Sequence, residues 1–450
     1  MTLHHPRSLR RVGAVLLAAA MVALPAHAQQ DTALAHPLTL GDAARLAARQ
    51  SASAEAARYR ADQAAARVTQ TRSIFLPDVS AYGLENGRSF NTATFGIPLP
   101  GFDPAGQVIS GINVLDVRGR VSQTLVDLGA LGRLRSTRSQ ARAARAGAAD
   151  VAEQAASLAA AAYLRTLRAM GLVEARVADS VLADSLLQIS RDEVTAGVGV
   201  GLDVTRAEAQ VATVRAQLIA SRNERDLARL DLLRALGVPL DAPLRLADSL
   251  DALPIADTAP PEQAAIERAL RERPDLRSAD AQLQAAQQSV RAIRSERLPA
   301  LSVFGDDGWI GFNGKNMLNT YTWGVQLSVP IFDGLRRQGR VQEQEALANE
   351  IDVQRRDLRR QAAVEVRAAL LNLASARQQV DAARERLRLS DQELSQARDR
   401  FRAGVAGNAD VITASLDLNS SRSQVIDALT AYQSARVALA RAEGTIASLP

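Results

Sequence analysis

The chain has no cysteine, so it holds no disulfide framework, no thiol nucleophile and no cysteine for a lipid anchor. Histidine is nearly as scarce. His4, His5, His27 and His36 are the whole complement, and only His36 lies beyond the N-terminal leader described below. A histidine-based metal centre or catalytic triad is therefore all but excluded. Lys315 is the only lysine, and this arginine usage sets a pI near 10.1 on a net charge of only +5. Acids and bases are interspersed along the length. That pattern solvates helix faces and does not build the basic patch of a nucleic-acid binder. No enzyme chemistry, cofactor or metal is expected, and no nucleic-acid partner.

Long apolar runs are missing too, with one exception. Val12 to Leu24 is apolar, follows Arg7, Arg10 and Arg11, and precedes Ala26-His27-Ala28. A basic start, a short apolar run and an A-x-A site read as a secretory signal peptide over residues 1–28, with the mature chain starting near Gln29. The run is shorter than the ~20 residues that span a bilayer as a helix. Without the leader's arginines the net charge is near +2. No later stretch stays apolar for 18 residues. An exported soluble protein or a membrane β-barrel remains.

Proline is absent from Gly129 to Ala196 and from Gly334 to Ala403. Both stretches are rich in Ala, Leu, Arg, Gln and Glu, which are strong helix formers. Each predicts a helix of roughly 100 Å at 1.5 Å per residue, suited to coiled-coil-like packing rather than to a globule. The apolar stripe is expected to be narrow and alanine-rich, through Val364, Ala368, Leu371, Ala374 and Ala376.

Aromatic residues make up only 3% of the chain, yet 11 of the 15 fall in two windows, Phe75–Val126 and Leu298–Phe332. In the second, Tyr321, Trp323, Val325, Leu327 and Val329 alternate with Thr320, Thr322, Gly324, Gln326 and Ser328. In the first, Leu115, Val117 and Val121 alternate with Asp116, Arg118, Arg120 and Ser122. Period two with one apolar face is a strand signal. The windows predict two hairpins, 77–84 with 114–125 and 300–304 with 320–329. An apolar aromatic face backed by a polar one suits lipid outside and water inside, which makes Tyr321, Trp323, Val325, Leu327 and Val329 a candidate membrane-facing strand. Four strands per chain are too few to close a barrel, and open edges in lipid leave backbone groups unpaired. Several copies are therefore expected to pool their strands.

The chain is internally duplicated. Val194 to Gly237 aligns without gaps onto Phe401 to Gly444, matching Ala196-Gly197-Val198 with Ala403-Gly404-Val405, Asp203-Val204 with Asp410-Val411, and Ala207 with Ala414. Val121-Ser122 and Asp127 match Leu327-Ser328 and Asp333, and Leu76-Pro77 matches Leu298-Pro299. The expected organisation is a first repeat over 29–237, a linker over 238–272 with a short helix from Glu262 to Arg271, and a second repeat over 273–450. Five of the 16 prolines lie between Val238 and Pro261. The turns at 197–203 and 404–410 read as helix punctuation, with glycine as a left-handed C-terminal cap and Asp203 and Asp410 as N-caps.

Leu38-Thr39-Leu40-Gly41-Asp42-Ala43, Phe75-Leu76-Pro77 with its counterpart Leu298-Pro299, Arg273-Pro274-Asp275-Leu276, Val329-Pro330-Ile331-Phe332-Asp333-Gly334 and the twice-used G-x5-D-V-x2-A turn resemble TolC-like outer membrane efflux proteins. The likeness covers about 38–447. It implies a mainly α fold with a small membrane β part, in which a homotrimer forms a twelve-stranded β-barrel, four strands per chain, continuous with a periplasmic α-barrel. It also implies an outer membrane location, a linker wrapped at the equator, and docking to a periplasmic adaptor and an inner-membrane pump or ABC exporter. By the same resemblance Gly197, Val198, Asp203, Val204, Ala207, Gly404, Val405, Asp410, Val411 and Ala414 line the adaptor-docking tip. Asp410 and Phe401 are implied in a gate at its entrance. The chain departs from the family pattern at Phe401 in place of tyrosine, at Ala406 in place of a basic residue, and at Thr413 in place of an acid. A periplasmic adaptor and a structural coiled-coil protein are the alternatives. An adaptor usually carries a single helical hairpin, and a rod has no use for a lipid-like strand face.

Overall fold

Three side-chain caps set the frame. The Thr39 hydroxyl accepts the Asp42 N–H, Ser51 accepts that of Ala54, and Asp127 accepts that of Ala130 at 2.8 Å, each satisfying a donor that a helix start leaves orphaned. The computed structural model describes residues 36–449 apart from 97–99, 102, 104, 198, 256–259, 313, 404 and 406. The expected signal peptide, Val198 and Gly404 lie outside the described residues.

In chain order the elements are α1 (Leu40–Gln50), α2 (Ala52–Arg72), β1 (Asp78–Asn91), β2 (Val108–Asp127), α3 (Leu128–Thr195), α4 (Gly201–Leu236), α5 (Glu262–Glu272), α6 (Pro274–Ser295), β3 (Ala300–Phe312), β4 (Lys315–Ser328), α7 (Arg336–Arg402) and α8 (Asn408–Glu443). The 68 residues of α3 and 67 of α7 give rods of about 100 Å. Among the described residues no helix is long and apolar enough to cross a membrane.

Each rod is flanked by shorter helices laid end to end. Near the sheet α3 packs on α2 and α6, as the Thr71–Thr137 and Ser136–Ser289 contacts record, and toward the other end on α4 and α8. The splice between shorter helices is built the same way twice. α4 ends at Gly237 (φ +73°) against the backbone of Gln50 and Ser51, where α2 begins. α8 ends at Gly444 (φ +74°) against Glu272 and Arg273, where α6 begins. A Cβ at Gly444 would lie 2.9 Å from the Arg273 Cα, and one at Gly237 would overlap the Gln50 carbonyl oxygen. We expect Gly237→Ala and Gly444→Ala each to lose about 1–3 kcal/mol, from left-handed strain plus backbone overlap. Gly339→Ala, inside α7 with open space around it, should be neutral or slightly stabilising. Thermal unfolding followed by circular dichroism separates the two classes.

Small side chains let the rods approach. A Cβ on Gly132 would sit 2.6 Å from the Ala292 Cα. The buried stripe of α7 differs from the expected one. Val364 and Leu371 are exposed, whereas Ala362, Val366, Ala369, Leu373, Ala376 and Val380 are buried. Their 4-3-4-3-4 spacing is a heptad seam, which Ala383, Leu387, Ser390, Leu394, Ala397 and Phe401 continue to the end of the helix. Val364 and Leu371 belong to a second stripe on another face.

The largest core gathers where the splices lie. Leu40, Tyr163, Leu164, Leu232, Leu236, Val366, Leu429, Tyr432 and Ile446 pack there, with Leu250 and Leu253 of the linker. Tyr163 donates to the Asp248 carboxylate at 2.8 Å, and that carboxylate accepts the Leu40 N–H at 2.9 Å. Burial, then the neighbouring carboxylate, pushes the Tyr163 phenol up and keeps it protonated. The linker is thereby tied across the joint.

Candidate functional site

Two regions carry functional geometry, the sheet at one end of the rods and the paired turns at the other. The sheet is antiparallel, in the order β1-β2-β3-β4, so the two hairpins join through β2 and β3. Both outer strands keep one edge without a partner among the described residues. The strands are longer than the sequence suggested, because Gly, Ser and Asn in their outer halves hide the alternation.

Register decides what each face carries. Val121 pairs with Val79 and Gly305, Gly305 with Trp323, Val303 with Val325, and Leu301 with Leu327. The apolar sets of β2 and β4 thus share one face. Tyr321, Trp323, Val325, Leu327 and Val329 are 51–75% exposed on it. The opposite face holds Ser80, Asp116, Arg118, Arg120, Asp306, Thr320 and Thr322. Arg118 donates to Asp116 at 2.7 Å and to Asp306 at 2.8 Å, Arg120 stands 3.5 Å from Asp306, and the Asp306 side chain is nearly buried. The ion-paired cluster lies wholly on this face and the Tyr321–Val329 set on the other, although Glu85 and Asp307 stand on the apolar side beside Leu115 and Tyr321, and Tyr82, Leu84, Phe304 and Ile310 on the ion-paired side. A face of clustered exposed apolar groups backed by ion pairs suits hydrocarbon on one side and water on the other.

At the far end α3 closes in a left-handed Gly197 (φ +78°), with the Gly199 N–H returning to the Glu193 carbonyl at 3.0 Å. The expected aspartate N-caps are not formed. Val200 and Gly407 occupy the cap positions, and Asp203 and Asp410 fall in the first helical turns, where a carboxylate meets the positive end of the helix dipole instead of a capping N–H. Arg206 stands 3.6 Å from Asp203. Glu193 is pushed up by partial burial and then by the Asp203 charge. Asp410 is exposed, and its carboxylate makes no hydrogen bond or ion pair among the described residues.

The expected docking residues that lie among the described residues do not form one surface. Ala207, Val411 and Ala414 are buried. Val411 and Ala414 pack with Leu182, Leu186, Leu394 and Leu418, and Phe401 lies half-buried against the same cluster. Apolar groups at these helical positions point into the bundle, so they position the turns rather than touch a partner. Gly197, Val405 and Asp410 are exposed, with Asp203 and Val204 half-exposed. Val200 and Leu202, which the sequence reading passed over, are exposed beside them.

Asn408 was also missed. It is buried at the first position of α8 and donates to Ser190 Oγ of α3 at 2.9 Å and to the Asp203 carbonyl of α4 at 3.2 Å. One side chain therefore ties the second turn to the first. The signal available was the break in the repeat, since the matching position in the first half is Gly201. Higher in the wall, Asp179 of α3 is fully buried between Arg176 and Arg422 of α8, at 2.9 Å from each.

The family model described as Outer membrane efflux protein matches residues 43–238 and 265–445. The chain is 28% identical over 178 residues to the alkaline protease secretion protein AprF of Pseudomonas aeruginosa, an alignment covering 38% of this chain and 37% of AprF. It is 29% identical over 168 residues to the toluene efflux pump outer membrane protein TtgI of Pseudomonas putida, covering 36% of this chain and 34% of TtgI. The chain thus spans little more than a third of either relative's length. Its fold is similar to that of the outer-membrane channel OprN, with a TM-score of 0.72 over 90% of both chains at 20% identity. With both repeats matched over most of their length, the chain belongs to the outer membrane efflux protein family.

Proposed function

We propose that three copies of this chain form an outer-membrane duct that passively conducts substrates delivered by an inner-membrane pump or ABC exporter through a periplasmic adaptor. The observation that carries this reading is the sheet: four strands, both edges open among the described residues, with the exposed Tyr321–Val329 set on one face and the Arg118–Asp306 ion pairs on the other. Such a sheet is stable in lipid only when copies pool their strands and close the wall. Three copies give twelve strands, with Tyr321, Trp323, Val325, Leu327 and Val329 toward lipid and Arg118, Arg120 and Asp306 toward the lumen. The rods continue the duct into the periplasm. One named relative serves protease secretion and another toluene efflux, so a duct of this build suits either cargo class, with selection left to the pump. Purified mature protein in planar bilayers should give long-lived, water-filled conductance from a trimeric particle. A water-soluble monomer without conductance would end the proposal.

Gly197, Val405, Asp410, Val200 and Leu202 form the exposed rim of the tip, where the adaptor docks. Three copies of Asp410 around the entrance favour cations. Asp410→Ala should reduce cation selectivity, and unchanged selectivity would remove Asp410 from the gate. Asn408→Ala loosens the tip itself. Each lost hydrogen bond weakens the held form by about 1 kcal/mol, so we expect the balance to shift toward open by about fivefold or more. Single-channel open probability reads this directly.

A further inference from the structure

Several arginines near the sheet end of the wall pair with carboxylates. Arg133 meets Asp127 and Glu296, Arg340 meets Glu296, and Arg355 meets Asp280. Arg135, Arg138, Arg142 and Arg145 do not, and they stand together. They follow at i, i+3, i+7 and i+10 along α3, all exposed, on one face of the helix. Among the described residues none of the four makes an ion pair, and Arg142 donates only to Ser139 Oγ at 2.8 Å. They line a groove of about 470 Å³ that runs between α2 and α6, with Ser139 and Gln288 as neutral polar groups and no carboxylate in its lining. Like charges spaced three and four residues apart destabilise a helix, and an anion in the groove would relieve that repulsion.

The groove is open to a ligand. α3 sits between α2 and α6, and α2 and α7 form the lateral edges of the wall in this half, so copies joined edge to edge leave this face uncovered. The strip spans about 15 Å at 1.5 Å per residue, and its upper end lies about 10 Å below the start of α3 under the sheet. Guanidinium forks bind phosphate oxygens in pairs and hold their charge at every working pH. A strip of this length accommodates more than one such group.

We propose that this face of α3 binds anionic phosphate groups, two or more at a time, on one ligand or on neighbouring ones. Two sources share that chemistry, a soluble polyphosphorylated solute and phospholipid headgroups beneath the barrel. Isothermal titration of the purified full-length oligomer with tripolyphosphate examines the first. The second is read from retention of phosphatidylglycerol against phosphatidylcholine in nanodiscs. In at least one arm Arg138→Gln with Arg142→Gln should weaken binding by about tenfold or more, with a marked fall at high salt. A loss confined to tripolyphosphate assigns a solute site, and a loss confined to phosphatidylglycerol assigns a headgroup site. Arg133→Gln, whose partners are Asp127 and Glu296, should leave both arms unchanged. Glutamine keeps helix propensity, and oligomer mass confirms assembly of each variant. The proposal is overturned if the wild-type oligomer binds neither probe more tightly than the double variant does.

Discussion

Val325→Arg is expected to abolish assembly of the membrane part, while Thr322→Arg, three residues away, is tolerated. Val325 is 63% exposed on the apolar face and pairs with Val303 across the strand. It is the middle member of the Tyr321–Val329 set, which the proposed barrel turns toward hydrocarbon. The penalty there is about 2–4 kcal/mol per copy, and in the proposed trimer it is met three times in one barrel. Thr322 lies on the other face, opposite Asp306, so an arginine there joins existing charges on the side the proposed barrel turns toward water. The measurement is the yield and melting temperature of the oligomer after refolding into lipid. Equal behaviour of the two variants would mean that the apolar face does not meet lipid.

Asp179→Ala is the second large effect, and it acts in the helical wall. The carboxylate has no exposed surface, and it holds Arg176 of its own helix and Arg422 of α8. Asn419, with its amide nitrogen turned inward, donates to the same carboxylate. Arg176 also donates to Ser423 at 3.0 Å, so the carboxylate is the hub of the α3–α8 contact. Removing it leaves two largely buried guanidinium groups without a counter-charge. A loss of about 3–5 kcal/mol is expected for breaking a buried pair from one side. Replacing all three charged residues with apolar groups of similar volume should recover most of that loss, because the desolvation of the charges disappears with them. Chemical unfolding of the two variants gives the comparison. If Asp179→Ala alone is as stable as wild type, the hub does not hold the wall.

Much of the site was legible because periodicity is local. Alternation over Tyr321–Val329 and over Leu115–Ser122 marks two strands without any knowledge of their partners. The outer halves of the strands were not legible, since Gly83, Gly87, Gly305, Gly308 and Gly311 carry no pattern. Asn408 was hidden for a different reason. Its importance lies in contacts with Ser190 and Asp203, more than two hundred residues away. Likewise nothing local distinguishes Ala207, Val411 and Ala414, which are buried, from Val405, which is exposed.

The sequence alone determined the long proline-free rods, the duplication, the hairpins and the absence of histidine or cysteine chemistry, because each rests on composition or on spacings of a few residues. Only the tertiary structure decided that β2 pairs with β3, that the two apolar strand faces coincide, and which stripe of α7 is buried. A one-residue change of register would turn every strand side chain to the other face, and that register is fixed by partners some 190 residues apart. The faces of α7 are likewise assigned by the helices packed against it, since Val366 and Val364 differ only in which side of the rod meets a neighbour.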